Sequence, residues 1–286
     1  MDYPNQVQTE YVYYFAANNL KNSEDIKRKV RTAYGSVAEA DNNNQCCGNG
    51  RSCCGVSAKP DNAYSQELGY SIEELNGVPE GCNMGLGCGN PQAIAALATG
   101  ETVLDLGAGG GFDVFLAAKK VGSGGKVYGV DMTPEMVNKA RYNAEKHGYM
   151  NVKFLLGEIE YLPLPNNSVD VVISNCVVNL STNKQQVFSE ALRVLKEGGR
   201  LAISDMVAHK SLPKEMVENA NLYCNCISGA ITIDELKNML LQAGFVDIAI
   251  EPQESSRMFI KDWVPGSDAE NYVVSAKITA IKPRSK

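Results

Sequence analysis

From Asn90 onward, helix and strand signals alternate along the chain, and this alternation restricts the possible folds more than any other feature. In "NPQAIAALA", Asn90 stands as an N-cap with Pro91 at the first helical position. The buried strand "TVLDLG" leads into the helix "FDVFLAAKKVG", and the strand "KVYGVDM" into "TPEMVNKARYNAEKHG", which Thr133 and Pro134 begin and Gly148 ends. Strands "NVKFLL" and "SVDVVIS" follow, then a helix "NKQQVFSEALRVLKEGG" and a strand "RLAIS". "TIDELKNMLLQAGF" opens on a capping box of Thr232 and Glu235. Strand "VDIAIE" comes next and, beyond a Pro/Gly loop, "NYVVSAKITAI". Repeated β–α–β units build a parallel sheet. The last two strands lack a clear helical crossover, so that pair is expected to be antiparallel. The expectation is an α/β, Rossmann-like sheet of seven strands with the last antiparallel.

A different region precedes it. "SEDIKRKVRTAYGSVAEA" puts Ile26, Val30, Ala33 and Val37 on one helical face. It runs into "DNNNQCCGNGRSCCGVSAKPDN", a Gly/Asn-rich loop with no apolar period. The division expected is an N-terminal extension over 1–89, with a helix and a cysteine-rich loop, and a main domain over 90–286. A segment at about 207–231 is inserted in that domain. A net charge of −6 argues against a nucleic-acid partner, whose phosphates call for clustered Lys and Arg. No segment nears the ~18 apolar residues of a membrane span. The first residues, with one short apolar patch preceded by acids, make a poor signal peptide. A cytoplasmic protein is expected, with no membrane partner.

The first strand ends in "DLGAGGGFD", where glycines let a ligand approach the backbone at a strand's carboxyl end. A dinucleotide fingerprint needs glycine at 107, 109 and 112, but position 112 is Phe and the glycines are Gly107, Gly109, Gly110 and Gly111. Asp105, two residues before the first glycine, can face a cationic amino group, whereas it would repel a pyrophosphate. Asp131 ends the second strand, where it can accept from two ribose hydroxyls. Glu158, after the third strand, can take an adenine amino group. Met132, Ile159 and Asn175 adjoin the ends of strands two, three and four and complete the candidate set. Three acids in this order suit a neutral nucleoside carrying an amino acid, which is S-adenosylmethionine. The set resembles the seven-stranded class I methyltransferases.

The nine cysteines speak to the acceptor. Cys88 precedes the first strand, Cys176 follows the fourth, and Cys224 and Cys226 follow the fifth, so sequence-distant thiols converge on one edge of the sheet. Thiolates at one crevice select a soft ion. Zinc usually shows C-x2-C knuckles; this chain has CC, C-x5-C and C-x-C, and a structural zinc in the front loop stays open. Trivalent arsenic takes three sulfurs and keeps a lone pair. Only one of Cys224 and Cys226 can face one ion if "EMVENANLYCNCISGA" is a helix, because residues two apart point to nearly opposite sides.

"GCG" before the glycine loop, "SNCVVNL", the C-x-C segment with "ISGA" and "SRMFIKDWVPG" resemble the arsenite methyltransferase family, over roughly Tyr34 to the C-terminus. The resemblance implies methylation of As(III) by S-adenosylmethionine for arsenic detoxification, with no structural metal. It makes Cys88, Cys176 and Cys226 arsenic thiols and, from "CGVSAKP", Cys54 a fourth, with Cys53 beside it in the redox step. Cys224 is then a packed thiol. Methyl transfer formally oxidises arsenic, and a thiol pair can return the electrons by closing a disulfide. The family implies a thioredoxin-like or glutathione-type partner to reduce that disulfide. This chain departs from the pattern by doubling Cys53–Cys54 and Cys46–Cys47 and by adding Cys82. Two other classes stay open: a C- or O-methyltransferase with incidental cysteines, and a thiol metal sensor on the same fold.

Overall fold

The computed structural model describes residues 23–39, 61–263 and 266–285; Cys46, Cys47, Cys53 and Cys54 lie outside the described residues. Helix α1 spans 23–39. Short helices α2 (Asp61–Glu67), α3 (Ile72–Asn76) and α4 (Pro91–Ala95) lead to β1 (Thr102–Leu106), α5 (Phe112–Val121), β2 (Lys126–Asp131) and α6 (Pro134–Lys146). Next come β3 (Val152–Leu156), β4 (Val169–Asn175), α7 (Lys184–Val194) and β5 (Leu195–Ala208). The chain continues through α8 (Lys214–Val217), α9 (Ala220–Cys224), α10 (Ile233–Ala243), β6 (Val246–Gln253), α11 (Arg257–Trp263) and β7 (Val273–Ile281).

The strands form one sheet in the order β3-β2-β1-β4-β5-β7-β6. β3, β2, β1, β4 and β5 pair in parallel, and β7 lies antiparallel to both β5 and β6. The expected class is therefore the observed one. One face is covered through Phe188 of α7 and Leu236 and Leu240 of α10. The other is covered through Ala95, Phe115, Val137 and Ala140 of α4, α5 and α6. Each such side chain, once fully buried, contributes roughly 1.5–3 kcal/mol for Leu or Phe. A third cluster at the carboxyl ends of the strands joins Val30, Met206, Leu222 and Ile227 to Cys88, Cys176 and Cys226. Among the described residues, no helix is long and apolar enough to cross a membrane.

Local signals hold where side chain and backbone agree. Asn90 caps α4 by accepting the N–H of Ala93 at 3.1 Å, and the Thr232–Glu235 capping box opens α10. Tertiary pairing overrides them elsewhere. The "LKEGG" stretch read as helix is the start of β5, because Gly198 and Gly199 exchange backbone hydrogen bonds with Lys282 beyond β7. The helix read through Val217, Ala220 and Tyr223 is broken into α8 and α9. Asn219 Oδ1 accepts from the Leu222 N–H at 3.2 Å, and Ser228 Oγ donates to the Met216 carbonyl at 2.5 Å. The stretch between β6 and β7 read as a loop carries α11. The buried line of α1 runs through Lys27, Val30 and Ala38, one residue round from part of the expected face, with Ala33 and Val37 only half-buried.

Candidate active site

The strand order turns back at β1, which has β2 on one side and β4 on the other; ligands of open α/β sheets occupy the crevice at such a point. Gly107 there has φ +69°, and the side chain of Val177 fills the space a Cβ would need. The Asp131 carboxylate, at the end of β2, accepts the N–H of Gly109 at 2.9 Å and of Thr133 at 2.8 Å. It thereby ties the glycine loop to the first turn of α6.

These elements enclose a pocket whose wall includes Asp105, Gly107, Gly109, Asp131, Asn175 and Cys176, with Met132 and Ile159 also on it. Two residues of the candidate cofactor set lie outside this wall. Gly111 starts α5 at φ +95° and abuts Phe115 and Phe154, and Gly110 borders the pocket instead. The Glu158 carboxylate is held by Lys27 Nζ of α1 at 2.7 Å, and its neighbours Ile159 and Glu160 form the wall. Lys27 was not anticipated; a lysine on the buried line of an amphipathic helix was its one signal.

Asp105 is buried, and its carboxylate accepts no hydrogen bond among the described residues. Burial pushes its pKa well up, and the nearby carboxylates of Asp113 and Asp131 push the same way. Burial also raises Asp113, to about 6, while hydrogen bonds from Tyr70 and Asn175 hold it down. Three carboxylates crowd one wall, one of them unpaired, which is the environment a cationic ligand would relieve. Asp105 thus fits the amino group of an amino-acid-bearing nucleoside.

The thiols meet at the pocket's edge. Cys176 follows β4 at φ +59°, and Cys226 follows α9 at φ +60°. Left-handed backbone costs a non-glycine residue roughly 1–2 kcal/mol, and such strain gathers where function needs it. The Cys226 sulfhydryl donates to the Cys176 carbonyl at 2.6 Å. Sulfurs of Cys88 and Cys176 and an oxygen of Asp205 lie within 4.8 Å of one another. Burial lifts the Cys176 thiol well above its ordinary value, and Cys226 and Cys88 beside it add to the rise. Burial likewise raises Cys88. At Cys226 the contact with Cys176 lowers the pKa, but burial and Asp205 together outweigh it. All three thiols are thus raised above the ordinary thiol value and are neutral at neutral pH.

Asp205 was not read from sequence, although an acid inside the apolar run "LAISDMVA" was the available signal. Burial lifts it to about 6, against hydrogen bonds from Met206 and Asn179. Cys224 is half-buried in a groove against Lys29 and Val30 of α1, and its carbonyl accepts from Tyr34 Oη at 3.1 Å. Cys82 borders the pocket under the glycine loop, its thiol pushed up to about 12 by burial.

A family model described as a methyltransferase domain matches residues 97–244. An arsenite methyltransferase of Halobacterium salinarum is 47% identical over 270 residues, covering 92% of this chain and 68% of that protein. The human arsenite methyltransferase is 36% identical over 230 residues, 77% of this chain and 58% of its own length. The Aquipseudomonas alcaligenes one is 39% identical over 202 residues, 68% and 56%. This chain thus spans little more than half of those last two relatives. Among solved structures, an arsenic(III) S-adenosylmethionine methyltransferase from Chlamydomonas reinhardtii aligns with TM-score 0.57 at 35% identity, covering 79% of this chain and 75% of that one. A phosphoethanolamine N-methyltransferase from Haemonchus contortus, at 21% identity and TM-score 0.56, shares the fold alone.

Proposed function

This chain belongs to the arsenite methyltransferase family, and from that premise we propose that it methylates trivalent arsenic held by Cys88, Cys176 and Cys226, for arsenic detoxification. One observation carries the reading: Cys176 lies on the pocket wall and also contacts the other two thiols. S-adenosylmethionine, when bound, supplies an electrophilic sulfonium methyl. Asp105 would hold its amino group, and Asp131, Met132 and Ile159 would border its nucleoside.

The neutral state of the thiols suits this substrate. Arsenous acid and three thiols give a trithiolate and three waters, so no net charge enters the apolar cluster around Ile227 and Met206. The bound arsenic keeps its lone pair, which is the nucleophile. Holding donor and acceptor together can remove several kcal/mol, about 7 or more, from the barrier. Transfer raises arsenic by two electrons. A thiolate not bound to arsenic then attacks one arsenic-bound sulfur. That As–S bond breaks with its electron pair left on arsenic, restoring trivalent methylarsenic on two thiols. A second thiol displaces the freed site cysteine from the mixed disulfide. Cys53 and Cys54 are the thiols we assign to that cycle, as the family resemblance implies. A thioredoxin-like or glutathione-type donor reopens the disulfide, which suits a reducing cytoplasm.

The test is incubation with arsenite, S-adenosylmethionine and a thiol reductant, with products resolved by chromatography and mass detection. Methylated arsenic from the native chain and none from Cys176→Ser is the expected result. Undiminished activity in Cys176→Ser would overturn it.

A further inference from the structure

Asn175 is the last residue of β4, directly before Cys176. Its carboxamide grips the backbone on both sides of Cys88: Oδ1 accepts the Cys88 N–H at 3.0 Å, and Nδ2 donates to the Gly89 carbonyl at 2.9 Å. This grip accounts for the glycines around Cys88. A Cβ on Gly87 would come within 2.6 Å of Asn175 Nδ2, and one on Gly89 within 2.8 Å of Ser204. On its other side, Ser275 Oγ donates to the Cys88 carbonyl at 2.7 Å.

The same amide also faces the pocket. Asn175 Nδ2 lies 3.1 Å from Tyr70 Oη and 3.3 Å from Asp113 Oδ2, while Tyr70 Oη donates to Asp113 Oδ1 at 2.9 Å. Tyr70, Asp113 and Asn175 all line the pocket with Asp105. Two amide hydrogens are thus shared among three acceptors, one on the thiol loop and two on the pocket side.

We propose that Asn175 is a positioning residue that couples occupancy of the cofactor pocket to the placement of the Cys88 thiol. A cation arriving at Asp105 and Asp113 competes for the Asp113 carboxylate, and the long 3.3 Å contact is the first to yield. The amide then commits to Gly89 and Tyr70, and the Cys88 loop is fixed for arsenic. This rests on the methyltransferase reading above, and it adds that the two sites bind cooperatively through one side chain.

Binding measurements test it without turnover. Arsenite affinity is read from arsenic–thiolate absorbance, and S-adenosylhomocysteine affinity by calorimetry, each with and without the other ligand. In the native chain each ligand tightens the other by the same factor, of about tenfold, since coupling is reciprocal. Asn175→Asp keeps the size and the acceptor for Cys88 but replaces the donor facing the Gly89 carbonyl with an acceptor, and the factor should fall to about one. Tyr70→Phe cuts only the pocket-side link and should shrink the factor as well. A merely structural Asn175 would change affinities and leave the factor intact. Full coupling in both variants, or none in the native chain, overturns the proposal. A native chain that binds no arsenite overturns the functional reading itself.

Discussion

The Cys226 sulfhydryl donates to the Cys176 carbonyl at 2.6 Å, and both residues hold left-handed backbone, at φ +60° and +59°. Two distant segments are each bent unfavourably to bring one pair of sulfurs together. The sheet edge supports one bend, since the Cys176 N–H is bonded to the Ser204 carbonyl of β5 at 2.8 Å. The end of α9 supports the other, through the Cys226 N–H to the Tyr223 carbonyl at 3.0 Å.

Cys176→Ser and Cys226→Ala should each lower methylation by ~100-fold or more, as misplaced reacting groups do. Cys224→Ala should retain most activity, because that thiol faces α1 and its backbone carbonyl, not its sulfur, anchors Tyr34. Rates of methylarsenic formation check this. Equal loss in the Cys224 and Cys226 variants would refute the assignment.

The backbone strain gives a stability prediction of unusual sign. At most positions alanine is more stable than glycine, but at φ +60° glycine loses the Cβ penalty. Cys226→Gly should therefore be more stable than Cys226→Ala by about 1 kcal/mol. Urea midpoints of the two inactive variants provide the comparison.

Binding of S-adenosylmethionine should weaken as pH falls through about 6, the value to which burial lifts Asp113, with burial raising Asp105 as well. An ammonium group needs ionised carboxylates, so below that pH binding must first expel protons. Calorimetry in buffers of different ionisation heat should detect proton release near pH 6. The stability linkage has the matching sign. A folded carboxylate pKa raised above 3.8 stabilises fully below 3.8, and this contribution is lost as pH rises through about 6. The cofactor-free chain should therefore lose stability over that window, and S-adenosylhomocysteine should restore it.

Asp131→Ala should weaken the cofactor at least tenfold, a loss of about 1.4 kcal/mol, while arsenite affinity measured without cofactor stays close to native. The carboxylate holds the glycine loop at Gly109 and the start of α6 at Thr133, and makes no hydrogen bond to a cysteine among the described residues. Parallel calorimetric and absorbance titrations separate the two effects; equal losses would point to damaged folding.

The sheet was legible because strand period, capping residues and crossover length are local properties. Asn90 and Thr232 cap as read, and seven strand segments fall where apolar runs predict. The place of β7 between β5 and β6 follows from long-range pairing, and so does the extension of β5 back through Gly198. Glycines at 107 and 109 and acids at 105 and 131 could be chosen from sequence, since the end of a strand fixes where such groups stand. Glu158 could not be resolved that way, because its partner Lys27 comes from a helix 131 residues away. The convergence of Cys88, Cys176 and Cys226 was suggested by strand ends. Their mutual contact, the carboxylate of Asp205 among them and the amide of Asn175 behind them were decided only in three dimensions. Sequence places the residues at strand ends beside the crevice; packing across it determines which others join them and which of them touch.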